Sequence, residues 1–283
     1  MTQVPAAPPD QPTYWNEEGG RRWVENIQRV ERMLEPLSRR LLAHAEPRAG
    51  ERVLDVGCGG GVTSDACASA VGPAGTVLGL DVSAVILAVA RERYGGVGNF
   101  SFALGDAATI GLAPAAFDLI VSRFGVMFFA DPVAAFANLR PALAVGGRLA
   151  FICWRAQAEN PWMAEAVSAT FTVLPRPEPQ PPTAPGPYAF ADPARLRDIL
   201  TRSGYDAISI EPLDQALDLG SIDDAVTQLT RMGPAASAYA AASADDQVAV
   251  VAAIKAALWN HVSAGSVRMA SATWLVGART RGH

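Results

Sequence analysis

The chain has 283 residues, of which 50% are hydrophobic and 18% are charged, and its formal net charge is −5 at pH 7. This length and apolar content allow a buried core of one large domain, with or without an elaboration, and exclude general disorder. The acidic balance argues against a nucleic-acid or anionic-membrane partner, because phosphate binding needs a basic footprint.

The cysteines and the amino terminus indicate the compartment. Cys58, Cys67 and Cys153 are few and scattered, which fits a reducing cytoplasm, and no CxxC or HExxH pattern indicates a metal site. The start, MTQVPAAPPDQP, lacks the basic-then-apolar layout of a signal peptide, and no stretch is apolar enough to span a membrane. A cytoplasmic protein without a metal or a membrane span is therefore expected.

The predicted elements begin with a helix over 14–45, in which apolar residues recur at three- and four-residue steps. Five apolar strands follow, separated by helix-compatible segments, at 52–57, 76–82, 100–106, 117–124 and 148–154. Such an alternation indicates a doubly wound α/β fold with a mainly parallel sheet covered on both faces.

The second half of the chain is less regular. The Pro-rich segment 175–187 predicts an extended loop, and a helix over 192–205, with Asp192 as N-cap, precedes a strand over 207–213. The segment 221–262 is helical in pattern, and a last strand is expected over 269–279. The predicted parts are a tail with a lid helix (1–49), a core (50–213), a helical cap (214–267) and a last strand with a tail (268–283).

The segment VLDVGCGGG at 53–61 carries the clearest chemical signal, because a strand that enters a Gly-rich turn and a helix forms a ligand-binding crevice. A phosphate-binding P-loop would need a lysine here, and the first lysine is Lys255. A dinucleotide fingerprint would need glycine where Val62 stands. Asp55 would repel a pyrophosphate and attract a ligand that carries an amino group and a sulfonium.

This segment resembles motif I of the class I S-adenosylmethionine-dependent methyltransferases. The segments VLGLDVS, ALGDA and FDLIVSRFGVMFFADP resemble the later motifs of that family's small-molecule branch, in order and at its spacing, over roughly residues 50–155. The resemblance implies a Rossmann-like, mainly parallel seven-stranded sheet with an N-terminal helix and a helical cap inserted between the last two strands. It also implies S-adenosylmethionine as cofactor and S-adenosylhomocysteine as product.

The same resemblance assigns cofactor contacts to individual residues. It implies that Asp81 accepts both ribose hydroxyls, and that Asp106 accepts the adenine amino group beside the N–H of Ala107. The other implied cofactor residues are Asp55, Gly57, Cys58, Gly59, Gly61, Val82, Ser122, Arg123, Tyr14 and Trp23.

The acceptor side is expected to be aromatic. Tyr14, Trp15, Trp23, Phe124, Phe128 and Phe129 should converge on the cofactor mouth, where aromatic faces can stabilise a methylsulfonium. Trp15, Phe124, Phe128, Trp154 and Arg155 are the expected substrate-pocket residues. Arg123 and Arg155 can bind a carboxylate of the acceptor or the cofactor, or instead form salt bridges. His261, in the cap, is the candidate general base, with a structural position as the alternative.

The function expected is methyl transfer by in-line displacement to a small, apolar or aromatic organic acceptor. A module that binds the cofactor without turnover, and a nicotinamide-dependent oxidoreductase, are the alternatives. The NPP[YF] motif of nucleic-acid methyltransferases is missing, since NPW at 160–162 follows the fifth strand. Residues 10–24 and 214–267 are predicted to form a mobile cover, with a static layer or a homodimer interface as the alternatives.

Overall fold

A computed structural model describes residues 10–96 and 98–280 of the protein. Residues 1–9 of the expected tail, residue 97 and the last three residues lie outside this description. The strands are β1 (Arg52–Val56), β2 (Thr76–Asp81), β3 (Phe100–Leu104), β4 (Phe117–Arg123), β5 (Leu143–Trp154), β6 (Tyr205–Asp218), β7 (Val262–Ser263) and β8 (Ser266–Thr280). The α-helices are α1 (Gln11–Asn16), α2 (Glu18–Ala45), α3 (Val62–Val71), α4 (Ala84–Tyr94), α5 (Pro132–Leu139), α6 (Pro161–Val173), α7 (Pro193–Arg202), α8 (Ile222–Arg231), α9 (Ala236–Ala241) and α10 (Ala244–Leu258).

The sheet has the order β3-β2-β1-β4-β5-β8-β6, and the two-residue β7 pairs with β8 beside this path. Neighbouring strands from β3 to β5 are parallel, whereas β8 is antiparallel to both β5 and β6. The predicted mainly parallel, doubly wound sheet of seven strands is confirmed. The strand order reverses between β1 and β4, and a ligand crevice is expected at the carboxyl ends of such a pair.

Helices cover both faces of the sheet, as the side chains of β5 show. The ring of Phe151 stacks on Phe136 of α5 at 5.6 Å, and both are fully buried. On the opposite face the guanidinium of Arg148 donates to the carbonyl of Ala45, at the end of α2. Alternate residues of a strand point to opposite faces, so α2 and α5 sandwich the central strands.

The last two long strands differ from their predicted bounds. Strand β6 pairs with β8 up to Asp218 opposite Arg268, whereas the pairing of β8 with β5 ends at Thr273 opposite Trp154. The two strands thus extend beyond the rest of the sheet and pair only with each other there. The extension of β6 is the polar segment DQALD, which a search for apolar runs does not find. The α-helices between the two strands span 222–258 rather than 221–262.

The helices between β6 and β8 pack on other helices rather than on the sheet centre. Helix α10 lies along α6, and α8 contacts α2, where the amide of Gln228 donates to the sulfur of Met33. Both strands that flank these helices meet them at the carboxyl edge of the sheet. No helix within the described ranges has the length and apolarity needed to cross a membrane.

Candidate cofactor and acceptor site

The five-residue turn after β1 leads directly into α3. Gly57, Gly59 and Gly61 in this turn have φ values of +67°, +56° and +88°. Residues with a side chain rarely adopt this region, whereas glycine reaches it without steric cost. The backbone path alone therefore favours glycine at all three positions.

The three glycines have different surroundings. A Cβ atom at Gly57 would lie 2.7 Å from the Cα of Gly125, and one at Gly61 would lie 2.9 Å from the ring of Tyr94. A Cβ at Gly59 would meet its nearest neighbour only at 3.9 Å. The sequence predicted that a ligand comes close to this whole turn. The structure leaves such space at Gly59, while the chain itself packs against Gly57 and Gly61.

Asp81, at the end of β2, is attached to this turn. Its Oδ2 accepts the N–H of Gly59 at 2.8 Å and its Oδ1 accepts the N–H of Ser83 at 2.9 Å. Burial raises the pKa of the carboxyl, and the backbone N–H donors counteract part of that effect. Each oxygen keeps a further lone pair, so the carboxylate can hold the turn and still accept two hydroxyls.

Asp55, at the core of β1, is fully buried. Its Oδ2 accepts the hydroxyl of Ser64 at 2.7 Å, whereas its Oδ1 has no hydrogen-bond partner. Burial raises the pKa of this carboxyl to about 6, although the hydroxyl of Ser64 and the positive charge of Arg123 lower it. A buried hydrogen-bond acceptor that lacks a partner and lies beside the turn fits a ligand that carries an ammonium group.

The end of β3 brings Asp106 to the same edge. Its Oδ1 accepts the N–H of Ala108 at 2.8 Å, and the carbonyl of the buried Ala107 accepts the side-chain amide of Asn138 at 2.9 Å. Next to it, the N–H of Gly105 donates to the carbonyl of Asp81. The strand ends thus place the carboxylates of Asp55, Asp81 and Asp106 along one edge, where they form an acceptor set for the ammonium, hydroxyl and amino donors of S-adenosylmethionine.

Cys58 and Val82 lie in the same turns without offering chemistry of their own. Burial raises the pKa of the Cys58 thiol well above its usual range, so no thiolate forms there. The carbonyl of Val82 accepts the side-chain amide of Asn16 at 2.8 Å.

Helix α1 lies over these turns. The hydroxyl of Ser83 donates to the carbonyl of Trp15 at 2.6 Å, and Asn16 accepts the N–H of Ala84 at 2.9 Å. These bonds attach α1 to the start of α4, directly beside Asp81. The four rings of this cover meet edge to face: Tyr14 on Trp15 at 5.2 Å, Trp15 on Trp23 at 5.9 Å and Trp15 on Phe128 at 5.0 Å.

Two of the aromatic residues expected at the mouth lie elsewhere. Phe124 stacks on Trp154 at 4.3 Å with 12° between the ring planes, and Phe129 packs edge-on against Phe136 in the core. Trp154 in turn contacts Trp162 at 5.1 Å. The expectation of one aromatic mouth is therefore wrong in part, because the rings separate into a cover over the glycine turn and a buried stack behind it.

Ser122 is fully buried, and its hydroxyl donates to the carbonyl of Val56 at 2.7 Å, which ties β4 to β1. That bond uses its only donor, so the hydroxyl can only accept a hydrogen bond in the cofactor contact that the resemblance implies, and this contact stays a prediction. Arg123 donates to the hydroxyl of Ser38 at 3.0 Å and forms no ion pair with any described residue. Burial lowers the pKa of its guanidinium, while the negative charge of Asp55 raises it.

The salt-bridge alternative holds for Arg155. Its guanidinium pairs with Asp214 at 2.9 Å and with Glu159, and it lies over the ring of Trp274 at 5.0 Å. This cation is therefore already paired with two carboxylates, and its place among the pocket residues stays a prediction. His261 lies 2.9 Å from the carboxylate of Glu165 on α6, and both side chains are about one third exposed, at 31% and 36%.

Sequence reasoning missed Asn160. Its side chain is fully buried, donates to the carbonyls of Ala272 and Ala156, and accepts the N–H of Ala272 and the indole of Trp162. It joins the exit of β5, the start of α6 and β8, which fixes where the acceptor-side helices begin. An Asn directly before a Pro is a turn signal that could have indicated this position.

A model of the methyltransferase domain family matches residues 47–191 of the chain. Over 118 residues the chain is 40% identical to aklanonic acid methyltransferase DauC of Streptomyces sp. strain C5, a match that covers 41% of this chain and 54% of that protein. It is 31% identical over 200 residues to nocamycin O-methyltransferase of Saccharothrix syringae, which covers 65% of this chain and 69% of that one.

A solved structure of similar fold is phosphoethanolamine N-methyltransferase 2 of Haemonchus contortus in complex with S-adenosyl-L-methionine. The two share 16% sequence identity at a TM-score of 0.62, over 98% of this chain and 62% of that one. The match to the first of the curated relatives spans about half of that relative's length.

Proposed function

The chain belongs to the class I S-adenosylmethionine-dependent methyltransferases, and from this premise we propose that it methylates a small, apolar or aromatic organic molecule. The observation that carries the proposal is the pair of buried acids at the glycine turn. Asp55 has an unpartnered oxygen, and Asp81 is bonded to the N–H of Gly59. A pyrophosphate would be repelled there, whereas an aminoacyl sulfonium with a ribose is matched in charge and hydrogen bonding.

Three acids along the sheet edge would each bind a different part of the cofactor. Asp55 would accept the cofactor ammonium, Asp81 the ribose hydroxyls and Asp106 the adenine amino group, beside the N–H of Ala107. The bound sulfonium supplies an activated methyl group for one displacement, so the protein contributes position, exclusion of water and electrostatics. Helix α1 would exclude water from above.

The acceptor is proposed to be an apolar natural product or a quinone. The exit of β4 carries the half-buried Phe128, whose ring meets Trp15 of the cover, and these two aromatic faces offer dispersion contacts and few hydrogen bonds. The names of several relatives specify aklanonic acid, nocamycin and demethylmenaquinone as the molecules on which those proteins act. His261 with Glu165 stays the candidate base for an acceptor that must lose a proton.

Turnover with methyl-labelled S-adenosylmethionine and a panel of hydroxylated or carboxylated polyketides and quinones tests this function. Label transfer to one class supports it and identifies the acceptor atom. Binding of S-adenosylhomocysteine without transfer to any acceptor would favour a binding module instead. Calorimetric binding of NAD in place of S-adenosylhomocysteine would favour the oxidoreductase, an alternative that the comparisons do not support.

The affinity for S-adenosylhomocysteine is expected to rise between about pH 5 and about pH 7. The pKa of Asp55 is raised to about 6 by burial, and a bound ammonium favours its ionised form, so binding releases a proton in this range. The same shift costs the unliganded protein stability as the pH rises through about 6, because the folded state then buries a charge. Calorimetry across this range measures the slope.

Asp55→Asn is the control for this slope, because the amide does not titrate while Asp81 and Arg123 remain. We expect weaker binding and a smaller slope, because only the raised pKa of Asp81 still contributes. A variant with the wild-type slope would show that the proton is released elsewhere.

We also propose that residues 10–24 and 214–267 open and close over the cofactor. Ion pairs join the leading helix α2 to α8, from Arg29 to Asp224 at 3.1 Å and from Arg231 to Glu25 at 3.3 Å. Exposed pairs of this kind contribute only ~0–1 kcal/mol each, so they can break without unfolding the core. Hydrogen exchange of both segments is expected to slow when S-adenosylhomocysteine binds. Equal hydrogen exchange with and without the ligand would indicate that both segments form a static layer.

A cytoplasmic location and a homodimer remain predictions. The three cysteines are free and buried, which is compatible with a reducing compartment. Sedimentation equilibrium would decide the oligomeric state.

A further inference from the structure

Phe124 has a backbone conformation that is unusual for its size. Five non-glycine residues in the described ranges have positive φ, and the other four, Glu46, Ala115, Ala207 and Ala264, are exposed. Phe124, with φ +63°, is only 7% exposed. A bulky residue in this region is a steric outlier, and such outliers persist where surrounding contacts hold them.

The next residue makes the conformation more unusual. Gly125 could adopt positive φ without cost, yet its φ is −73° and its ψ is −41°. Glycine is needed there for space instead. A Cβ at Gly125 would lie 2.7 Å from the carbonyl oxygen of Val56 and 2.9 Å from the Cα of Gly57. The turn after β4 thus lies directly against the first glycine of the cofactor turn, with no room for a side chain on either residue.

Two contacts hold Phe124 in place. Its N–H donates to the carbonyl of Ile152 at 3.1 Å, and its ring stacks flat on Trp154 at 4.3 Å. Both partners belong to β5, the strand that leads to the acceptor side. The stack offsets a backbone conformation that an isolated chain would leave.

We infer that Phe124 is a positioning residue: its ring, stacked on Trp154, holds the left-handed backbone that keeps Gly125 against Gly57 and so sets the cofactor turn. The inference rests on the proposed function, because it assumes that this turn binds S-adenosylmethionine. It couples the aromatic stack to cofactor affinity, although neither Phe124 nor Trp154 needs to touch the cofactor. An ordinary core stack would instead affect stability alone.

Phe124→Ala and Phe124→Gly separate the two explanations. Both remove the ring, but a positive φ remains strained for alanine, whereas glycine adopts it without steric cost. We expect Phe124→Ala to relax to negative φ, to shift Gly125 and to weaken S-adenosylhomocysteine binding about tenfold, whereas Phe124→Gly should lose less than about threefold. Ala115→Gly is the matched control, because it relieves the same strain in an exposed turn and should leave affinity unchanged.

Calorimetric titration with S-adenosylhomocysteine, at a temperature well below the melting point of each variant, measures these affinities. Equal affinities for Phe124→Ala and Phe124→Gly would overturn the inference, while no binding by the wild-type protein would instead overturn the proposed function. Should Phe124→Ala fail to fold, Trp154→Leu removes the stack from the other side. Weaker binding by folded Trp154→Leu supports the inference, and wild-type affinity contradicts it.

Discussion

Gly57→Ala is expected to lower the affinity for S-adenosylhomocysteine on the order of 100-fold. The new Cβ would lie 2.7 Å from the Cα of Gly125, and backbone atoms cannot move aside as a flexible side chain can. The substitution also places alanine at φ +67°. If the free turn shifts to relieve both effects, it must return to the strained position when the ligand binds. Strain of ~1–2 kcal/mol and overpacking of ~1–3 kcal/mol are then lost from the binding free energy, which corresponds to this loss of affinity. Calorimetric titration measures it.

Gly50→Ala is the matched control for Gly57→Ala. Gly50 has φ +82°, but a Cβ there would meet no atom within 4 Å. It therefore carries the conformational cost without the collision, and we expect lower stability with unchanged affinity. If the two variants bind equally well, the contact between Gly57 and Gly125 does not shape the cofactor turn.

The acids at the strand ends could be predicted because each follows an apolar run. Asp55, Asp81 and Asp106 all lie at or near the carboxyl ends of parallel strands, and those ends meet at one edge whatever the loops do. Local periodicity and motif spacing therefore suffice to bring the three together.

The environment of Arg155 could not be predicted in the same way. Its partner Asp214 lies on β6, which is separated from β5 by the antiparallel β8, the last strand of the chain. That pairing depends on contacts between residues far apart in sequence, and no local pattern specifies its register.

The backbone conformation of Phe124 could not be predicted from the sequence for a different reason. In the segment RFGV, residue preferences place a left-handed conformation at the glycine, whereas the structure has it at Phe124 and leaves Gly125 with negative φ. Stacking on Trp154 and the lack of space beside Gly57 override the local preference. The same competition explains why the aromatic residues did not form a single mouth.

Asp81→Ala is expected to weaken S-adenosylhomocysteine binding by roughly 2–4 kcal/mol, or about 30- to 1,000-fold, without unfolding the protein. The carboxylate accepts the N–H groups of Gly59 and Ser83, so part of the loss can come from a looser turn and part from the ribose hydroxyls. Asp192→Ala is the control, since that carboxylate also accepts a backbone N–H, of Ala194, but at the start of α7. It should cost stability and leave affinity unchanged.

A ligand without the ribose hydroxyls separates these two contributions. If Asp81 binds the ribose, the wild-type protein loses affinity for the 2′,3′-dideoxy analogue of S-adenosylhomocysteine, and Asp81→Ala then adds little further loss. If Asp81 acts by holding the N–H of Gly59, the substitution weakens both ligands by the same factor. Wild-type affinity for S-adenosylhomocysteine in folded Asp81→Ala would contradict both and assign the ribose to another residue. We expect the first result, because both oxygens keep free lone pairs at the edge where Asp55 and Asp106 also end.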